Sequence, residues 1–302
     1  MAKTRDIVIG VVIGAFFLIF FFITALVMLS GSVGDGFEFS GLGDKVAIVR
    51  VDGEIFASRD ICRQLDRWAD DGSVKAIVLH INSPGGVVAP AQEIYEKVLQ
   101  VKQETGKPIV ASMASVCASG GYYIACAADR VVANPGSLTG SIGVILNWPI
   151  YGELMDKIGI QMETIKSGEV KDIGSPYRDA TVTDRDVMQA LVDDAYQQFV
   201  EVVVEQRGLE MAEVIQIADG SIFTGRQARD LGLVDSLGSY EDALDFAAEL
   251  AGMEKDPDTI VEVPRRSAGF WDLLGGIFGI DLSRFAVGGE SSVYPQLSYL
   301  LR

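Results

Sequence analysis

The sequence predicts an α/β fold with a largely parallel sheet, and three features carry that prediction. Short continuous apolar runs, Lys75 to Ile81 (KAIVLHI) and Pro108 to Met113, have the length and composition of strands buried on both faces. Segments of helical length alternate with them along the chain. Each of these two strands also runs into a turn of small residues that opens a helix, as βα units require.

Taken in order, the chain of 302 residues begins with Lys3, Arg5 and Asp6 and then an uncharged run from Ile7 to Leu29. A helix over that run is about 35 Å long, enough to cross a bilayer core of about 30 Å. The basic residues before it then place residues 1–6 in the cytoplasm, 7–29 in the bilayer as a single-pass anchor, and the rest on the extracytoplasmic side. Residues 30–44, rich in glycine and serine, read as a flexible tether. The α/β domain spans 45–254. It opens with a strand over Val46 to Val51, a helix over Arg59 to Asp70, the strand ending at Ile81, and a helix from Ala89 to Thr105.

After the strand ending at Met113, a helix is expected from Ser119 to Ala128. Strands over Arg130 to Ala133 and Ser141 to Leu146, a helix over Tyr151 to Ile158 and a strand over Glu163 to Lys166 follow. Thr183, with Asp186 three residues on, reads as the capping box of a long helix that stops at Gly208. Helices at Met211 to Ala218, Gly225 to Leu231 and Tyr240 to Ala251 complete the domain. Residues 255–302 form a glycine-rich tail with apolar islands, Phe270 to Ile280 and Tyr294 to Leu301.

Composition excludes several functions. A net charge of −17 argues against nucleic acid as a partner. His80 is the one histidine, and without an HExxH or a pair of CxxC motifs zinc catalysis is not expected. Phosphate-binding glycine loops are missing as well, so no cofactor is expected. Three cysteines cannot all pair, and Cys117 and Cys126 sit in apolar surroundings as packing residues.

The chemistry centres on Ser119. A serine at a strand-to-helix turn exposes its Oγ beside the positive end of a helix dipole, although a plain tight βα turn has the same look. Gly86 and Gly120 could offer backbone N–H groups to an oxyanion. A base is then needed. His80 lies within an apolar strand, where a structural histidine is the alternative. Lys171 lies in a glycine-bounded loop, Ser167 to Pro176, where a solvated lysine is the alternative, and Glu169 and Asp172 beside it would raise its pKa unless they point away.

The motifs INSPGG, ASGGYY, LTGSIGV and SGEVKDIGSP, in that order between Val46 and Leu250, resemble the signal peptide peptidase A family. The resemblance implies a membrane-anchored serine protease on the fold shared by Clp protease and crotonase. It implies Ser119 as nucleophile, Lys171 as general base, Ser141 as the hydroxyl that orients the lysine, and Gly86 and Gly120 as oxyanion donors. It also implies a ring-shaped homo-oligomer whose sites take serine and lysine from neighbouring subunits. Expected substrates are extended apolar peptides such as spent signal peptides, with small or aliphatic side chains beside the cleaved bond. A crotonase-type acyl-CoA enzyme and a non-catalytic membrane scaffold are the rival functions. For the tail, one expectation is packing on the core or a neighbour. The other is that the end near Leu300 and Leu301 enters the active site as a tethered competitor.

Overall fold

The structure, a computed structural model, describes residues 44–254, 260–262 and 296–300. The chain divides into two units, Met1–Gly43 and Asp44–Arg302, the first of which lies outside the described residues. The second runs β1 (Lys45–Asp52), α1 (Arg59–Asp70), β2 (Val74–Ser83), β3 (Gly85–Val87), α2 (Val88–Thr105), β4 (Ile109–Ala118), α3 (Gly120–Ala125), β5 (Arg130–Ala133), β6 (Leu138–Gly140) and β7 (Ile145–Asn147). It continues α4 (Gly152–Lys157), α5 (Val182–Arg207), α6 (Met211–Ile217), β8 (Ile222–Thr224), α7 (Gly225–Asp230), β9 (Ser236–Leu237), α8 (Tyr240–Leu250), β10 (Ile260–Glu262) and β11 (Gln296–Leu300).

The main sheet has the order β10-β1-β2-β4-β5-β9, every neighbouring pair parallel. Parallel neighbours need crossovers, which α1, α2 and α3 supply. Side chains alternate across β2. Ile77, Leu79 and Ile81 join the large core with Leu65, Ile94 and Phe199, while Ala76 and Val78 meet Ala243 and Ala247 of α8 on the other face. The result is a sheet between two helical layers. Beyond Met113 β4 leaves β5 and pairs instead with β6, which carries β8 antiparallel to it. A separate small sheet has the order β3-β11-β7, both pairs antiparallel.

Several elements differ from expectation for local reasons. The strand expected over Ser141 to Leu146 is broken, because Gly140 and Ser141 take positive φ (80° and 49°) and turn the chain out of the ladder. Residues Glu163 to Lys166 pair with no strand and are exposed. The capping box of α5 is Thr181 with Asp184, two residues earlier than Thr183 with Asp186. Asp184 wins because Arg178 also binds its carboxylate.

The expected transmembrane helix is corrected. Among the described residues no helix is long and apolar enough to cross a membrane. The longest, α5, has the length but carries Asp184, Arg185, Asp193, Asp194, Glu201 and Glu205 along it. The span expected at 7–29 lies outside the described residues, as do the tether at 30–43 and the apolar island Phe270 to Ile280. The bilayer as a partner, the single-pass topology and the extracytoplasmic placement rested on that span alone, and they are withdrawn.

Candidate active site

Because β2 and β4 are parallel neighbours, their C-terminal ends deliver two loops to one edge of the sheet, where ligands bind in such folds. β4 runs unbroken to Ala118, and Ser119 then turns sharply with φ 52° and ψ −119°. Among the described residues Ser119 and Ser141 are the two non-glycine residues with positive φ. Each such conformation costs about 1–3 kcal/mol and persists where the surroundings hold it. Here the Ser119 N–H donates to the Gly140 carbonyl (2.8 Å), and the Ser141 N–H to the Ser221 carbonyl (2.7 Å). Ser119 is 1% exposed, and its Oγ has no hydrogen-bond partner among the described residues. A buried hydroxyl without a partner is costly unless something else is meant to meet it.

Glycines let the two loops touch backbone to backbone. A Cβ on Gly120 would stand 3.3 Å from the Gly86 nitrogen, and one on Gly86 only 2.2 Å from the Ile55 oxygen. Ile55 bridges this loop, donating to the Gly85 carbonyl (2.9 Å) and accepting from the Val87 N–H (2.8 Å). Successive residues of an extended chain point their N–H groups to opposite sides, so the Gly86 N–H faces away from Ile55 and toward β11.

That neighbour is the part of the site that sequence reasoning left as one of two alternatives. β11 pairs with β3 through Ser298↔Val87, Tyr299↔Gly86 and Leu300↔Gly85, and with β7 through Leu297↔Leu146. The Tyr299 carbonyl oxygen and the Gly120 nitrogen lie 2.1 and 2.8 Å from one point, the place of a Cβ on Gly85. Tyr299 is wholly buried. Its ring packs on Phe199 (4.7 Å between centroids) and stacks on Tyr123 (5.3 Å), and its hydroxyl donates to the Ala195 carbonyl (3.0 Å). The seat beside Ser119 is therefore filled by the Tyr299 side chain. The alternation of Leu297 and Tyr299 with Gln296 and Ser298 was the signal for this strand. An open apolar groove of about 630 Å³, lined by Val87, Val88, Leu146, Ile173, Met188 and Ala195, continues along the same edge.

The other candidates sit apart from this cluster. Lys171 is exposed and has no side-chain partner among the described residues, so neither Ser119 nor Ser141 hydrogen-bonds it within one chain. Ser141 is nearly buried and lines a cavity of about 410 Å³ with Tyr196 and Asp219. The carboxylate of Asp172 is turned to Lys166 (2.7 Å) and Arg178 (2.8 Å), so it is already engaged. His80 lies on the far face of β2, edge-on to Tyr240 of α8 (4.9 Å), with burial and Arg50 lowering its pKa. Cys117 and Cys126 are buried and unpaired, and burial pushes the Cys126 thiol up to about 12. That makes them packing residues.

The arm that carries Lys171 is pinned by Arg178, which binds both Asp172 and Asp184. Arg178 and Lys166 hold the Asp172 carboxyl far below the usual range, and Arg178 brings Asp184 down to about 2. Depressed carboxyl pKa values stabilise the folded arm above the unfolded value of about 3.9, and that stabilisation fades as pH falls toward 2. We expect pepsin to nick residues 159–181 faster at pH 2 than at pH 4. Arg178→Gln should be nicked quickly at both. Equal nicking of wild type at the two values, measured relative to that variant, would contradict the pinning role.

A serine held this way, on this sheet, defines a class. The chain is a serine endopeptidase, as its relatives also indicate. The model of Peptidase family S49 matches residues 101–254, and that of Clp protease matches residues 45–137. "Putative protease slr0021" of Synechocystis is 42% identical over 217 residues, 72% of this chain and 77% of that one. "Putative protease MJ0651" of Methanocaldococcus jannaschii is 40% identical over 189 residues, and "Putative signal peptide peptidase SppA" of Enterococcus faecium 37% over 218. These cover 63% and 72% of this chain, which spans about three fifths of each of those two relatives (60% and 62%). The chain belongs to Peptidase family S49. That membership sets aside the scaffold and acyl-CoA functions. The membrane anchor expected along with the family is not found among the described residues.

Proposed function

We propose that this endopeptidase hydrolyses extended apolar peptides with a Ser119–Lys171 dyad. The observation that carries the proposal is the buried, unpartnered Oγ of Ser119 at a strained turn. Peptide adds as a strand to β3, its scissile carbonyl aimed at the N–H groups of Gly86 and Gly120. Ser119 Oγ attacks that carbon, Lys171 takes the hydroxyl proton and returns it to the leaving amine, and water then hydrolyses the ester by the same route. Ser141 orients the lysine. The apolar groove suits apolar peptides, in keeping with the name of the Enterococcus relative, which refers to signal peptides.

Lys171 is exposed in its own chain, so the lysine that serves Ser119 comes from a second copy. Exposed Ile158, Met162 and Ile165 on the same arm (Ile165 is 95% exposed) give that copy an apolar surface to bind. A fluorophosphonate probe should label Ser119 in the full chain and leave Ser119→Ala unlabelled. Labelling elsewhere, or none with an active protein, would sink the nucleophile. Mixing inactive Ser119→Ala with inactive Lys171→Ala should restore part of the activity, since some mixed sites regain both groups. If the mixture stays inactive after subunit exchange, the shared site fails.

A further inference from the structure

We infer that Asp194 selects substrates, so that the enzyme prefers apolar peptides carrying a lysine or arginine two residues before the residue whose carbonyl is cut. The inference rests on the strand addition and the dyad proposed above, and it adds a specificity-determining residue to that reading. The groove beside β3 is walled mainly by aliphatic side chains, and Asp194 is the one charged residue among those that line it. Its carboxylate is held in place. Gln92 Nε2, on α2, donates to Gln198 Oε1 (2.7 Å), and Gln198 Nε2 donates to Asp194 Oδ2 (2.7 Å). The Gln198 amide cannot flip without losing both bonds. Among the described residues no lysine or arginine pairs with Asp194, and its second oxygen has no partner.

Strand geometry says which substrate residue meets this carboxylate. In antiparallel pairing, the peptide residue opposite Gly86 presents its carbonyl to the oxyanion donors. Its side chain faces Phe199 and the Ala195 carbonyl of α5, as that of Tyr299 does. Side chains alternate along a strand, so the residue before it turns away and the one before that faces α5 again. That position lies level with Val88, and Val88 and Asp194 line the same groove. An aliphatic wall ending in a carboxylate suits a side chain with an apolar stem and a cationic tip, the form of lysine and arginine. Leucine would cover the wall and leave the carboxylate unpaired, and glutamate would bring two like charges together. The net charge of −17 also draws cationic peptides toward the chain as a whole.

The test uses the full chain and four reporter peptides that share one apolar sequence. Three carry lysine, norleucine or glutamate two residues before the cut residue. The fourth carries lysine one residue before it, on the opposite face. Product masses locate the cut bond in each. Wild type should favour the first lysine peptide over the norleucine peptide roughly three- to fivefold in kcat/KM, the scale of a part-exposed ion pair. High salt should shrink that advantage. The fourth peptide should show none. Asp194→Asn should abolish the lysine-to-norleucine preference, and Asp194→Lys should turn it toward glutamate. Equal cleavage of the lysine and norleucine peptides by wild type overturns the inference, as does a lysine preference that survives in Asp194→Asn. An equal advantage for the fourth peptide overturns it too, because the register would be wrong. Those results leave the dyad standing. No turnover of any peptide, together with no fluorophosphonate labelling of Ser119, would instead overturn the dyad and this inference with it.

Discussion

Lys171→Ala is expected to lower peptide hydrolysis by roughly 10²–10⁴-fold, the usual cost of removing a positioned general base. The fold should survive, because Lys171 is exposed and its side chain makes no hydrogen bond or ion pair among the described residues that its loss would break. His80→Gln should keep most of the activity. Its ring packs against Tyr240 on the α8 side of the sheet, and Ser112 is its polar neighbour at 3.4 Å. Rates at saturating peptide, with melting temperatures taken alongside, separate the two effects. Activity that survives in Lys171→Ala and vanishes in His80→Gln would reverse the assignment. A lysine base also requires the rate to climb from neutral toward alkaline pH, because only the neutral amine accepts a proton. The same pH series on Arg178→Gln reports on positioning, since Arg178 holds the arm without touching the reacting atoms. There a lower rate with an unchanged pH profile is expected.

Much of this was legible in the sequence because the physics was local. KAIVLHI and the run to Met113 are apolar without interruption, as strands covered on both faces must be, and they became β2 and β4. Ser119 could be singled out because a small-residue turn follows such a strand directly. The strained backbone there, φ 52°, is set by neighbours distant in sequence, Gly140 among them. Lys171 could be named only through its motif. Nothing in its spacing shows that Asp172, its adjacent carboxylate, is engaged by Lys166 and Arg178. Ile55 was invisible because its part is played by backbone atoms, which any residue carries. β11 left a clear alternating pattern, but its partners lie more than a hundred residues away, and no local rule fixes such a register. The aromatic seat for Tyr299 was missed for the same reason, since Tyr123 and Phe199 come from different helices or turns of the fold.

Gly86→Ala should cost roughly 10²–10³-fold in kcat, the loss seen when one oxyanion donor is removed. The Cβ would fall 2.2 Å from the Ile55 oxygen and 2.5 Å from its nitrogen, both backbone atoms of a strand-like bridge. No side chain can swing aside to relieve that contact, so the loop itself must shift. Any shift moves the Gly86 N–H off the position that faces the scissile carbonyl, and it loosens the hydrogen bonds that Ile55 makes to Gly85 and Val87. A lowered melting temperature should therefore accompany the lost rate. Gly72→Ala is the control, because a Cβ there meets nothing within 4 Å and the backbone is not left-handed. Its rate and melting temperature should match wild type. Measured well below both melting points, Gly86→Ala should be slow in kcat. A Gly86→Ala enzyme with a wild-type kcat and only a lower melting temperature would mean that the loop is structural, and the Gly86 N–H would lose its place in the mechanism.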